Sequence, residues 1–257
     1  MKTTYYSILL LLVAGLFFSC GNSKDGMSSN DNTSEDAELI SKKLSDFYAE
    51  APDSSWILRV QFDSKVYFED INKGLKFSGD VDELHVAQGA DVVGISAKSN
   101  SHILRLSIDI VDCGNNGKNV DVMLRNKDKK DGTNYSSCGY YRGNPKLHGV
   151  WAVEAIDQKA LNADKFPKDI PHFEINLETK HFGGFAGCNQ VNGQMKFEYN
   201  KMNIAPLAST KMYCADVSDI ENKILNILRS GPVVYTLKSG KLILENPKGS
   251  LTLKSVD

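Results

Sequence analysis

Apolar and polar residues alternate over most of the chain between residues 55 and 145. The stretch WILRVQFDSKVYFED, residues 56–70, shows the pattern, and LKFSG, DELHVAQ, DVVGISA and HILRLSIDIVDC continue it. Period-two alternation is typical of half-buried strands, and Asp63-Ser64-Lys65 suits the turn of a hairpin. No helical period interrupts this region, so we predict a small antiparallel β domain over residues 55–145.

The C-terminal part of the chain combines alternating segments with one helical segment. HFEINLE and QMKFEYN alternate as strands do, whereas SDIENKILNILR places its isoleucines and leucines on a single helical face. Ser218 and Glu221 have the spacing of a capping box, and Gly231-Pro232 is suited to end the helix. Three short strands separated by turns should follow. We predict a second β domain over residues 148–257, with one packed helix.

The segment before the first β domain has two different patterns. Residues 35–50 place Leu39, Ile40, Leu44, Phe47 and Tyr48 at helical spacing, which predicts a short amphipathic helix. The preceding GNSKDGMSSNDNTSEDAE has few large apolar groups and is typical of a flexible tether. Residues 20–54 should therefore hold a tether and a short helix.

The chain opens with MKTTYYSILLLLVAGLFFSC, in which one lysine precedes an apolar run too short to span a bilayer. This is typical of a signal peptide over residues 1–19. The end of the run resembles a bacterial lipobox, which implies that Cys20 becomes the first mature residue and carries lipid such as palmitate. Gly21 in place of aspartate favours the outer membrane. The alternative is an ordinary secretory signal cleaved nearby.

The charge of the chain argues against nucleic-acid binding, and its length bears on the number of domains. The 257 residues carry 30 Lys and Arg and 32 Asp and Glu, a net charge of −2, without any basic block. Nucleic-acid binding therefore has no electrostatic support. The length suits two modest domains.

Four cysteines besides Cys20 fall into two local pairs, Cys113 with Cys138 and Cys188 with Cys214. In an oxidising envelope compartment this arrangement favours two disulfides. Cys188 and Cys214 could instead be buried free thiols. A metal site is disfavoured, because no pair has CxxC spacing and no histidine lies three to five residues from a cysteine.

The chain from residue 148 onward resembles the META domain, the family that includes the heat-shock protein HslJ. The resemblance rests on a run of residues in the right order: Gly149, Trp151, Gly187, Cys188, Asn189, Gly193, Thr210, Met212 and Cys214. It implies a twisted, partly closed sheet with the helix packed against it. Residues 55–145 resemble a small β domain of bacterial envelope lipoproteins, which adds to the same picture.

The stretch GGFAGCNQVNGQMKF, residues 183–197, is the densest in residues chosen for backbone geometry. Glycine permits positive φ or close backbone approach, and the Asn189 and Asn192 side chains can bond their own backbone in a tight turn. We interpret this stretch mainly as a folded corner, with ligand binding as the alternative.

No catalytic motif stands out: the sequence has no GxSxG, HExxH or P-loop, and its five histidines are dispersed, although His172 and His181 could meet. We therefore expect no catalytic residue, metal or cofactor. The expected function is that of a lipid-anchored outer-membrane lipoprotein with an unknown envelope protein partner, active in stress or drug tolerance as the resemblance implies. The alternative is a carrier of lipid or another small molecule in a barrel cavity.

Overall fold

The computed structural model of the protein describes residues 45–86, 92–115, 117–166 and 169–256. The predicted signal peptide, Cys20 and the tether lie outside these residues. The described part of the chain is mainly β, as predicted, and forms two successive antiparallel barrels. No helix in it is long and apolar enough to cross a membrane.

The first barrel consists of eight strands in chain order, closed by antiparallel pairing of the first with the last. The strands are β1 (Phe47–Glu50), β2 (Trp56–Val60), β3 (Lys65–Asp70), β4 (Leu75–Val86), β5 (Val93–Lys98), β6 (His102–Asp112), β7 (Lys118–Asn126) and β8 (Thr133–Tyr141). The predicted β2–β3 hairpin is present, and LKFSG and DELHV belong to one long strand, β4.

The barrel interior is filled by the apolar members of the alternating pattern. Leu58 pairs with Phe68, which pairs with Phe77, and all three side chains are buried. The same inward register continues through Ile95, Leu106 and their neighbours. The alternation in the sequence therefore marks the inner and outer faces of a closed barrel.

The helix predicted over residues 35–50 is wrong at its C-terminal end. Phe47–Glu50 is strand β1, which pairs with β2 on one side and β8 on the other and so closes the barrel. Phe47 and Ala49 are completely buried and belong to the hydrophobic core of the barrel. Residues 35–44 lie outside the described part.

The second barrel follows after a 3-10 turn at Pro145–Leu147. Its strands are β9 (Gly149–Ile156), β10 (Lys159–Ala160), β11 (His172–Asn176), β12 (His181–Phe185), β13 (Gln190–Glu198), β14 (Lys201–Ser209), β15 (Val233–Lys238), β16 (Lys241–Asn246) and β17 (Gly249–Ser255). β9 pairs with β11 and with β17, so eight strands close into a ring, and the short β10 extends β9 as a hairpin. A second 3-10 turn covers Ala163–Lys165.

Helix α1 (Ser218–Arg229) connects β14 to β15 and packs against β14 and β17. Ile224, Ile227 and Leu228 are buried in the core of the second barrel. The predicted single helix and the three strands after it are confirmed. This part of the sequence forms a barrel with one helix completing its core.

The two barrels touch through aromatic and charged side chains. The rings of Phe62 and Tyr199 meet edge to face with centroids 5.1 Å apart. Lys146 Nζ lies 2.7 Å from an Asp63 carboxylate oxygen, and Lys118 Nζ lies 3.7 Å from one of Glu198. Residues of both barrels thus build the junction.

Candidate functional site

The glycines of the GGFAGCNQVNG stretch have the backbone roles that the sequence predicts. Gly187 has φ +118°, and a Cβ there would lie 2.9 Å from Cε1 of Phe166. At Gly193 a Cβ would lie 2.8 Å from the carbonyl oxygen of Pro206. The first glycine is required for its conformation and the second for the close approach of β13 and β14.

Both predicted disulfides are present. Cys113–Cys138 joins the turn after β6 to β8, and Cys188–Cys214 joins the β12–β13 corner to the loop before α1. The free-thiol alternative for Cys188 and Cys214 is therefore wrong. The second disulfide fixes a loop that has no strand pairing of its own.

Asn189 fixes the same loop by hydrogen bonds. Its side-chain oxygen accepts from the Met212 backbone N–H at 2.7 Å and from the Thr210 hydroxyl at 2.8 Å. Its Nδ2 donates to the Met212 carbonyl oxygen at 3.1 Å. The amide therefore pairs with Met212 as a neighbouring strand would. The expectation that Asn189 bonds its own turn is wrong, because its partners lie more than 20 residues away.

Glu221, in the first turn of α1, completes the corner. Its side chain is buried, with the residue 6% exposed, and its carboxylate accepts three hydrogen bonds. The donors are the backbone N–H of Asn189 at 2.6 Å, the Asn189 Nδ2 at 2.8 Å and the backbone N–H of Cys188 at 3.3 Å. A buried carboxylate is tolerated where N–H donors and a helix N-terminus surround it.

The capping box predicted for Ser218 and Glu221 is therefore wrong. Val217 is the N-cap, and it makes no side-chain cap bond. The Ser218 hydroxyl instead donates to the Ala215 carbonyl oxygen at 3.4 Å. The sequence held one signal of the real role: Glu221 shares a helical face with Ile224 and Leu228, which points inward.

Six of the residues that the family resemblance singled out converge here. Gly187, Cys188 and Asn189 form the corner, and Thr210, Met212 and Cys214 belong to the loop bonded to it. Between these anchors the loop presents its tip to solvent: Tyr213 is 85% exposed and Met212 50% exposed. We call residues 210–214 the stapled loop. The site therefore holds the backbone of the stapled loop in place and exposes two largely apolar side chains, Met212 and Tyr213.

The histidines do not assemble into a site. His172 pairs with Phe185 while His181 pairs with Asn176, so the two histidines stand at opposite ends of the β11–β12 hairpin. The His172 Nδ1 lies 3.0 Å from the Ile170 carbonyl oxygen. Within the described ranges, no group of three His, Cys, Asp or Glu side chains is placed to hold a metal.

Comparison with protein families identifies the second barrel. The family model of the META domain matches residues 145–256, the segment that contains the corner, the stapled loop and α1. Residues 145–256 form a META domain. The helix, the closing strands and the Gly-Cys-Asn corner all lie within the matched segment.

Two solved structures are similar to part of the chain. One NMR structure is 26% identical, over 43% of this chain and 92% of its own, with a TM-score of 0.37. An NMR structure of a protein from Burkholderia xenovorans is 21% identical, over 42% of this chain and 83% of its own, with a TM-score of 0.36. No curated protein matches the chain.

Proposed function

We propose that this protein is a non-catalytic, lipid-anchored envelope protein whose META domain binds another protein through the stapled loop. One observation carries the proposal: Tyr213 and Met212 are exposed on a backbone that a disulfide and Asn189 hold in place. Tyrosine and methionine are enriched in protein interfaces. A side chain presented on a rigid backbone loses less conformational entropy when it binds.

The non-catalytic part of the proposal rests on the absence of a recognisable catalytic motif in the sequence. At the corner, the carboxylate of Glu221 is buried and accepts three N–H hydrogen bonds, so it is engaged in holding the corner together.

Lipid anchoring rests on the lipobox-like end of the signal peptide, and the outer membrane as its destination rests on Gly21. Incorporation of radiolabelled palmitate into the full-length chain tests the lipid anchor, with Cys20→Ser as the matched variant. Label on the native chain and none on the variant is the expected result. Label retained by Cys20→Ser would overturn lipidation at this residue.

The interaction is tested by site-specific photocrosslinking in intact cells, with and without heat stress. A photoreactive phenylalanine analogue replaces Tyr213, and the control carries it at Ile71, which is 49% exposed on the first barrel. We expect a discrete crosslinked protein from position 213 only, lost when Asn189→Ala releases the loop. No protein adduct at position 213, or the same adducts from both positions, would overturn the proposal.

The same experiment addresses the carrier alternative. The inward positions of the first barrel are filled by buried side chains such as Phe47, Phe68 and Leu104. If position 213 captures no protein and a lipid co-purifies with the chain, the carrier hypothesis replaces the interaction hypothesis.

A further inference from the structure

A groove of about 300 Å³ lies where the two barrels meet, away from the stapled loop. Its lining comes from both: Asn115, Tyr140 and Tyr141 from the first barrel, and Thr179, Lys180, Gln194, Met195, Lys196 and Phe197 from the META domain. Small-molecule sites occur preferentially between domains and begin at about this volume. The groove therefore has the position and size of a ligand site.

Close packing, a turn hydrogen bond and a disulfide hold the first-barrel wall of the groove in place. A Cβ at Gly117 would lie 2.9 Å from Cε1 of Tyr140, so the tyrosine ring rests directly on the Gly117 backbone. The turn that carries Asn115 is closed by a hydrogen bond from the Gly117 N–H to the Gly114 carbonyl oxygen at 2.8 Å. Its first residue, Cys113, is bonded to Cys138 on β8. The disulfide thus holds the asparagine and the tyrosine on one support.

The META wall is fixed by its own contacts. The Met195 N–H donates to the Lys180 carbonyl oxygen at 2.7 Å, which ties the β11–β12 turn to β13. A Cβ at Gly143 would lie 2.8 Å from the ring of Phe197, so this ring packs against the linker between the barrels. Phe197 and Met195 are buried and form apolar support beneath the exposed lysines and Gln194.

The side chains that line the groove are suited to a ligand with a negative charge, hydroxyl groups and a flat apolar face. Among the described residues, the lining contains two lysines and no acidic side chain, and the nearby Glu198 is paired with Lys118 at 3.7 Å. Asn115, Thr179 and Gln194 offer neutral hydrogen-bonding groups, and Tyr140 is 36% exposed. Lysine attracts carboxylates as a compact charge, amides bond hydroxyls, and aromatic rings pack against flat apolar faces.

We propose that the junction groove binds an acidic sugar, a pyranose ring that bears a carboxylate. The lysines pair with the carboxylate, Asn115 and Gln194 with hydroxyls, and the sugar face packs on Tyr140. This is a binding site distinct from the stapled loop and goes beyond the proposed protein interaction.

The test uses the full mature chain and three probes, of which the first two, methyl β-glucuronide and methyl β-glucoside, differ only in the charged group. Saturation-transfer NMR and calorimetric titration should show binding of the glucuronide at least about threefold tighter than the glucoside, the effect of a partly exposed ion pair. Benzoate is the third probe. Equal binding of glucuronide and glucoside, benzoate binding without glucuronide binding, or no binding of any probe would each overturn the proposal.

Substitutions of residues that line the groove test whether the sugar binds there. Lys180→Gln and Lys196→Gln should each weaken glucuronide binding about threefold and leave glucoside binding unchanged. Tyr140→Ala should weaken both sugars. The matched control is Lys254→Gln, an exposed lysine on β17 outside the groove, which should change neither. Loss of glucuronide binding in Lys254→Gln to the same extent would show diffuse charge attraction and contradict the groove.

Discussion

Asp46 in the first barrel and Glu221 in the META domain are both carboxylates with almost no exposed surface, but they are hydrogen-bonded differently. Glu221 accepts three N–H bonds. Asp46 is 2% exposed; its Oδ2 accepts from the Phe62 N–H at 2.9 Å, and its Oδ1 has no partner among the described residues. The number of donors, not the depth of burial, separates the two sites.

The difference has a consequence for each barrel. The hydrogen bonds of Glu221 join helix α1 to Cys188 and Asn189 of the corner, and Asn189 in turn bonds Met212 of the stapled loop. We call these hydrogen bonds of Glu221 the clamp. At Asp46, burial raises the pKa of the carboxyl to about 7, although the hydrogen bond from Phe62 opposes the shift. Asp63 raises this pKa further and Lys146 lowers it, and both lie at the junction. One carboxylate fixes a structure, and the other changes protonation near neutral pH.

Removing the clamp should have the largest effect. Glu221→Ala leaves buried N–H groups of Cys188 and Asn189 without an acceptor, so we expect the META domain to lose about 4 kcal/mol of unfolding free energy. Denaturant unfolding measures it by tryptophan fluorescence in a Trp56→Phe background, where Trp151 is the remaining tryptophan. The matched control is Asp219→Asn, an exposed carboxylate in the same helical turn, where only a helix-dipole effect of about 0.5 kcal/mol is at stake. Equal losses in the two variants would mean that Glu221 is only a helix-end charge.

The role of Glu221 also shows where sequence reasoning stops. A glutamate three residues after a serine at a helix start has a sufficient local explanation in the capping box. Its real partners are 32 and 33 residues earlier in the chain, and local patterns do not encode such a contact. Asn189 is similar: the family motif indicated its importance, but not that it pairs with Met212.

The β-strands were predictable because their alternation is enforced by burial on one face only, as for Lys65–Asp70 and Gln190–Glu198. Phe47–Glu50 was not, since four residues are too few to separate a period of two from one of 3.6. The deciding interaction there is pairing with both β2 and β8, which depends on barrel closure. The junction groove was equally invisible, because it needs both barrels in place.

The two disulfides, one in each barrel, close loops of similar length, with sequence separations of 25 and 26 residues. Replacing either pair by serines should cost about 3 kcal/mol on the chain-entropy model. The local effects should differ. Loss of Cys113–Cys138 leaves β6, β7 and β8 paired, whereas loss of Cys188–Cys214 removes one of the anchors of the stapled loop.

Hydrogen exchange and limited proteolysis separate these outcomes. We expect faster exchange and cleavage at residues 210–217 only when Cys188 and Cys214 are replaced. Protection of this loop that stays unchanged in that variant would assign the anchoring to Asn189 and Glu221 alone.

The effect of Asp46 on stability should depend on pH and vanish near pH 4. The folded pKa of about 7 lies above the ordinary value of 3.8, so the folded chain retains a proton that the unfolded chain loses between about pH 4 and pH 7. The stability of the native chain therefore falls as pH rises through this window.

Asp46→Asn keeps an oxygen for the Phe62 N–H and does not titrate. Its stability should match the native chain near pH 4 and exceed it by about 4 kcal/mol at pH 8, since a pKa shift of about three units corresponds to roughly this free energy. Urea unfolding measures it by tryptophan fluorescence in a Trp151→Phe background, where Trp56 is the remaining tryptophan. The control Asp53→Asn should give no gain at pH 8, because hydrogen bonds from Ser55 lower the pKa of this exposed carboxyl. A gain for Asp46→Asn that is the same at pH 4 and pH 8 would show that packing, and not an under-bonded carboxylate, distinguishes Asp46 from Glu221.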